Sequence, residues 1–102
     1  MAHFLVVARD ASDAEALGRR QLARADHIER IRPFVDSGAL VFAAAFVDAT
    51  GRPTGSVFSM EAASREHLDA WIADDPYTSG GVWTEVDIRE IRIGVRDRAI
   101  TP

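Results

Sequence analysis

The chain has no cysteine among its 102 residues, so disulfide bridges and thiolate metal sites are excluded. It also lacks a basic run. Its 12 Lys and Arg residues are outnumbered by 16 Asp and Glu residues, for a formal charge of −4. Nucleic acids and anionic membranes recruit clustered cations, so neither is an expected partner. No stretch approaches the ~18 uncharged apolar residues of a membrane-spanning helix. The opening MAHFLVVARD is too short and too lightly charged for a secretory signal. A cytoplasmic location is therefore expected. There are no internal repeats and no low-complexity linkers. What is present is a chain with 47% apolar residues, enough to bury a core. Its length predicts one domain over residues 1–94, followed by a polar tail over 95–102.

HFLVVA (3–8) is a β-branched and aromatic run and predicts a strand. Ser12 with Glu15 three residues later has capping-box spacing, which predicts a helix from about residue 13. Pro33 predicts a kink or an end in the low thirties, and Gly38 suits a left-handed C-terminal position. ALVFAAAFV (39–47) and SVFSM (56–60) read as strands around a turn-rich DATGRPTG. Ser64 predicts the cap of a helix over 65–74, with Leu68, Trp71 and Ile72 on its buried face. VWTEVDIREIRI (82–93) reads as a final strand whose alternation slips phase, predicting a bulge near Arg89–Glu90.

The order β-α-β-β-α-β is the split βαβ, ferredoxin-like plan: an α+β fold with a four-stranded antiparallel sheet and both helices on one face. Strand one is apolar on both sides, as Phe4 and Val6 point one way and Leu5 and Val7 the other. Two helices cover only one face, and an uncovered face ought to be polar. The second face is therefore expected to pack on a second copy of the chain.

On a helical wheel Leu17, Ile28, Ile31 and Val35 form the expected core stripe of the first helix, and Arg20, Arg24 and His27 intrude on it. Arg20 is expected to snorkel to water. Arg24 and His27 are read as lining a cleft. In IADDPYTSGG (72–81), Pro76 drives Asp75 away from helical angles, so Asp75 is expected to cap a new short turn with Pro76 at its first position. Tyr77 is expected to pack as core. A capping carboxylate is rigid, and this topology lets Asp75 reach His27. Such a contact would fix the imidazole tautomer and ready it for proton transfer.

RADHI (24–28), GSVFSM (55–60), Trp71, DPY (75–77) and GGVW (80–83) together resemble the YCII-related (YciI-like) domain, over about residues 3–94. The resemblance implies a ferredoxin-like fold that pairs into a dimeric α+β barrel, with His27 and Asp75 as an active-site pair. It also implies that Arg24 and Ser56 line the pocket, which Tyr77 is expected to join. Where the family has a turn-like segment with glycine and proline, this chain reads FAAAFVD (42–48), which alters the pocket's shape.

Other constellations are poorer. His3, His27 and His67 are scattered, so no metal site is expected. TGRPTG (50–55) lacks the lysine and following helix of a phosphate loop. Ser56 has no adjacent base, and Asp10 and Asp13 read as helix-start charges. The expected function is a small enzyme of isomerase or lyase type that needs no cofactor, with His27 as general acid–base, Asp75 orienting it and Arg24 matching an anionic or phenolic substrate. The alternatives are a binding or accessory domain using the same pocket, and a cofactor-free oxygenase.

Overall fold

In the computed structural model, which describes residues 1–101, strand β1 (Ala2–Asp10) leads into helix α1 (Ala16–Ser37) and back through β2 (Leu40–Val47) and β3 (Pro53–Ala62). Helix α2 (Arg65–Ala73), a single turn α3 (Pro76–Ser79) and strand β4 (Trp83–Ile91) complete the plan, and β5 (Val95–Arg96) and β6 (Ala99–Ile100) form a small C-terminal hairpin. The four long strands are ordered β2-β3-β1-β4, and every adjacent pair is antiparallel. This is the expected α+β, ferredoxin-like architecture. No helix among the described residues is long and apolar enough to cross a membrane.

Phe4, Val6 and Ala8 of β1 and Phe58 and Met60 of β3 share one face by register, and they are buried beneath Leu68 and Ile72 of α2 and Tyr77 of α3. The opposite face carries Leu5, Val7 and Val57 half-buried, with Phe42 and Phe46 of β2 exposed at 46% and 44%. On β4 the same face turns charged, through Glu85, Asp87 and Arg89. The sheet is apolar on both sides over three of its four strands.

Several local expectations are corrected. Helix α1 starts at Ala16 without a side-chain cap, and Ser12 is exposed. Asp13 organises the entry instead: its carboxylate accepts from the Glu15 amide at 3.3 Å and from Arg19 at 2.8 and 2.7 Å. A charged acceptor with a guanidinium partner outcompetes a serine hydroxyl. The helix also runs through Pro33 to Ser37. Pro33 and Glu29 are both exposed, so water can take the carbonyl that the missing amide frees. Gly38 then closes the helix at φ 82°, the left-handed conformation in which a missing Cβ removes the steric cost. The strand irregularity lies at Arg9/Asp10, where Trp83 comes opposite Asp10, and not at Arg89–Glu90.

The buried stripe of α1 differs too. Ile28 and Ile31 are only half-buried and Val35 is 49% exposed, whereas Ala16 and Arg20 are buried. Residues Ala16, Arg20, Ala23, His27, Arg30 and Phe34, at alternating steps of four and three, form the inward row. That row sets the polar site.

Candidate active site

Helix α1 and edge strand β2 do not close on one another, because β2 offers only alanines at its middle. A cavity of about 340 Å³ lies between them, with Ala43, Ala44 and Ala45 on the strand side and Ile28 and Ile31 on the helix side. The polar side chains on its wall are Arg20, Arg24, His27, Ser56 and Tyr77. The pairing of Ala45 with Ser56 and of Ala43 with Phe58 gives the cavity a direction, from a polar end at Ser56 to an apolar one towards Leu40 and Trp71.

Asp75 is fully buried. It caps α3 as the Asp-Pro pair predicts, accepting from the Tyr77 amide at 2.9 Å, with Pro76 in the first turn. The same carboxylate meets His27 Nδ1, at 2.9 Å through Oδ1 and 3.1 Å through Oδ2. A carboxylate only accepts, so Nδ1 carries the hydrogen and the other ring nitrogen, Nε2, is left without a protein partner among the described residues. The Tyr77 ring stacks on the imidazole at 4.0 Å between centroids and 14° between planes, and Trp83 meets it edge-on at 5.7 Å. Hydrogen bond, stack and edge contact hold the imidazole in one orientation against the cavity.

Arg30, which sequence reasoning passed over, donates to Asp75 Oδ2 at 3.2 Å while its guanidinium lies 4.6 Å above the Trp71 ring. It supplies a cation to a carboxylate that water cannot reach. Its signal was the three-residue step from His27, which puts both on one face of the helix.

Arg20 corrects an expectation. It does not snorkel: it is 6% exposed, and its Nη1 donates to both oxygens of Asp10, at 2.9 and 2.7 Å. Its Nη2 donates to Ser56 Oγ at 3.0 Å, and Trp83 Nε1 donates to the same oxygen at 3.2 Å. Asp10 is therefore the counter-ion of Arg20 and not a helix-start charge. Arg24 is exposed and stands at the cavity mouth, one turn before His27. Tyr77 is 1% exposed, and its hydroxyl is buried without a partner among the described residues. It serves the site through its ring, as a wall for the imidazole. Trp71 lines the apolar end, half-buried, and Trp83 is core.

Residues 2–92 match the YCII-related domain. The chain belongs to that family. A relative of similar sequence is the xenovulene A biosynthesis cluster protein asL2 of Sarocladium schorii, 31% identical over an alignment of 104 positions that covers 92% of this chain and 90% of the other. Among solved structures, 5-chloro-2-hydroxyhydroquinone dehydrochlorinase of Burkholderia phenoliruptrix AC1100, in complex with 2,5-dihydroxybenzoquinone, superposes with a TM-score of 0.78 at 22% identity, covering 90% of this chain and 95% of that one. Muconolactone isomerase superposes with a TM-score of 0.56 at 13% identity, covering 100% of this chain and 97% of that one. At such identities the two structures establish a common fold. Within the YCII-related fold of this chain, the histidine of the R-x-x-H element of α1 meets the buried carboxylate of the DPY element that opens α3.

Proposed function

We propose that the cavity is the active site of a small enzyme that moves protons on an oxygenated organic molecule, anionic or phenolic, by isomerase- or lyase-type chemistry and with no cofactor. The contact between His27 Nδ1 and the fully buried Asp75 carries this reading. It leaves Nε2 as the free base on a cavity wall, with a fixed carboxylate behind the ring to balance the imidazolium that forms when Nε2 takes a proton. Negative charge left on a substrate oxygen meets Arg24 at the mouth and the Arg20–Ser56 corner at the polar end. His27 then returns the proton to another substrate atom, or the bonding pair expels a leaving group as its anion. Either course balances without an external oxidant. A volume of about 340 Å³ accommodates a single ring at the small end of ordinary ligand pockets. The related Burkholderia protein is a dehydrochlorinase of a chlorinated hydroxyhydroquinone, which supports an elimination on a hydroxylated ring.

The open sheet face belongs to the same proposal. Phe42, Phe46 and Val57 lie in one apolar patch, and burial contributes on the order of 25 cal/mol per Å² of apolar surface, so a second copy is its proposed cover.

The test is chloride release from 5-chloro-2-hydroxyhydroquinone. Turnover that falls by about 10² to 10⁴ in His27→Ala, with an unchanged circular dichroism spectrum, is the expected result. Saturable binding of 2,5-dihydroxybenzoquinone with no turnover of hydroxylated rings would instead leave a binding module.

A further inference from the structure

Two donors converge on Ser56 Oγ: Arg20 Nη2 at 3.0 Å and Trp83 Nε1 at 3.2 Å. Neither a guanidinium nor an indole N–H can accept a hydrogen bond, and a hydroxyl oxygen has two lone pairs and one hydrogen. Both lone pairs are therefore engaged. Only the O–H remains, and no protein acceptor takes it among the described residues. The side chain stands on β3 at the cavity wall, opposite Ala45, whose methyl group leaves the space in front of it open.

We propose that Ser56 is a donor-only anchor for a carbonyl, enolate or phenolate oxygen of the bound molecule, and that it selects against ligands presenting an ammonium or other donor-only group there. The inference rests on the functional reading above and adds the polarity of one subsite. Its fixed sense comes from the surrounding fold. Asp10 engages Nη1 of Arg20 twice, which leaves Nη2 directed at Ser56. The strand irregularity at Arg9/Asp10 sets Trp83 opposite Asp10 and so brings the indole to the same corner. The guanidinium withdraws electron density from Oγ and strengthens the bond that the hydroxyl hydrogen makes to an oxyanion. The same saturation makes Ser56 a poor nucleophile, since no lone pair is free to attack.

The chain has two tryptophans, so a ¹H–¹⁵N spectrum carries two indole resonances, assigned with Trp83→Phe. The probe is 2,5-dihydroxybenzoquinone. On binding to the wild-type protein, the Trp83 indole resonance is expected to move, because a Ser56 hydroxyl that donates to the probe becomes a better acceptor for Trp83. Ser56→Ala is expected to weaken the probe by about tenfold to a hundredfold. Ser56→Thr, which keeps the hydroxyl, is expected to restore binding, whereas a merely structural serine would predict no such rescue. Equal affinity in Ser56→Ala, or an unmoved Trp83 resonance when the probe binds, overturns this inference and leaves the functional reading standing. A wild-type protein that does not bind the probe overturns both. Should Ser56→Ala fail to fold, the wild-type resonance and the Ser56→Thr affinity decide the matter.

Discussion

His3 and His27 are built from the same parts and end up with different possibilities. Each imidazole has a carboxylate on the Nδ1 side: Glu61 at 4.0 Å for His3, Asp75 at 2.9 Å for His27. Each sits near a serine, a tryptophan or a tyrosine of the sheet or its cover. The difference lies at Nε2. In His3 that nitrogen is tied to Ser59, which is fully buried, on the sheet face away from the helices. In His27 it is unpartnered among the described residues, and the ring lines the cavity. A carboxylate behind an imidazole is a common packing solution. What makes it a candidate base is the free second nitrogen, held rigidly against a space that admits a substrate.

The comparison can be tested at its sharpest point first. His27→Ala is expected to lower proton-transfer turnover by about 10² to 10⁴, while His3→Gln leaves it unchanged. Equal losses in the two variants, measured as chloride release, would remove the distinction. Next in size is Arg20→Met. It strands Asp10, whose side chain is 7% exposed, without its counter-ion, and removing one partner of a buried pair costs about 3–5 kcal/mol. Urea unfolding reads this, and a loss below ~1 kcal/mol would mean that water reaches Asp10 after all.

A double substitution on the opposite face, Phe42→Asp with Phe46→Asp, is expected to convert a dimer of about twice 11.2 kDa into a monomer by sedimentation, with the helix-covered site still folded. A wild-type protein that sediments as a monomer at micromolar concentration would remove the second copy from the account.

The remaining two effects are smaller and concern pH. Burial holds His3 below the ordinary histidine value of 6.5, helped by the charge of Arg96 and opposed by Glu61. The unfolded chain therefore binds the proton more readily, and stability falls as pH drops below 6.5. His3→Gln should flatten that part of the thermal-melting profile. Asp13 acts in the same sense, at lower pH. Hydrogen bonds from Arg19 hold its carboxyl at about 2 against the usual 3.8, so its contribution is present above 3.8 and is lost as pH falls through about 2. Asp13→Asn should abolish that acid-side dependence, and added salt should shrink it, because the pair is exposed.

The fold was legible because its signals are local. Strand and helix periodicities, Ser64 as the cap of α2, and the Asp-Pro pair as the start of α3 each act within a few residues. The meeting of His27 with Asp75 was allowed by the topology, which puts both helices on one face, but only the tertiary structure brings the two side chains together. The inward row of α1 was harder to see. Its period is plain along Ala16, Arg20, Ala23, His27, Arg30 and Phe34, but half of its members are cationic or imidazole, so a reading weighted by hydrophobicity settles on Leu17, Ile28, Ile31 and Val35. Those side chains border a cavity or water instead of a packed core. Arg20 looked like a solvated residue because its counter-ion lies ten positions away on another element.

The sequence by itself determined the α+β plan and the two-sided apolar sheet, and it allowed a meeting of His27 with Asp75 without fixing it. Only the tertiary structure decided how the charges pair. It assigned Asp10 to Arg20, shared Asp75 between His27 and Arg30, and brought two donors, from Arg20 and Trp83, onto Ser56 Oγ. The physical reason is range. Helix and strand propensity act between neighbours in the chain, whereas the energy of a buried charge depends on which distant groups the fold brings within hydrogen-bonding distance.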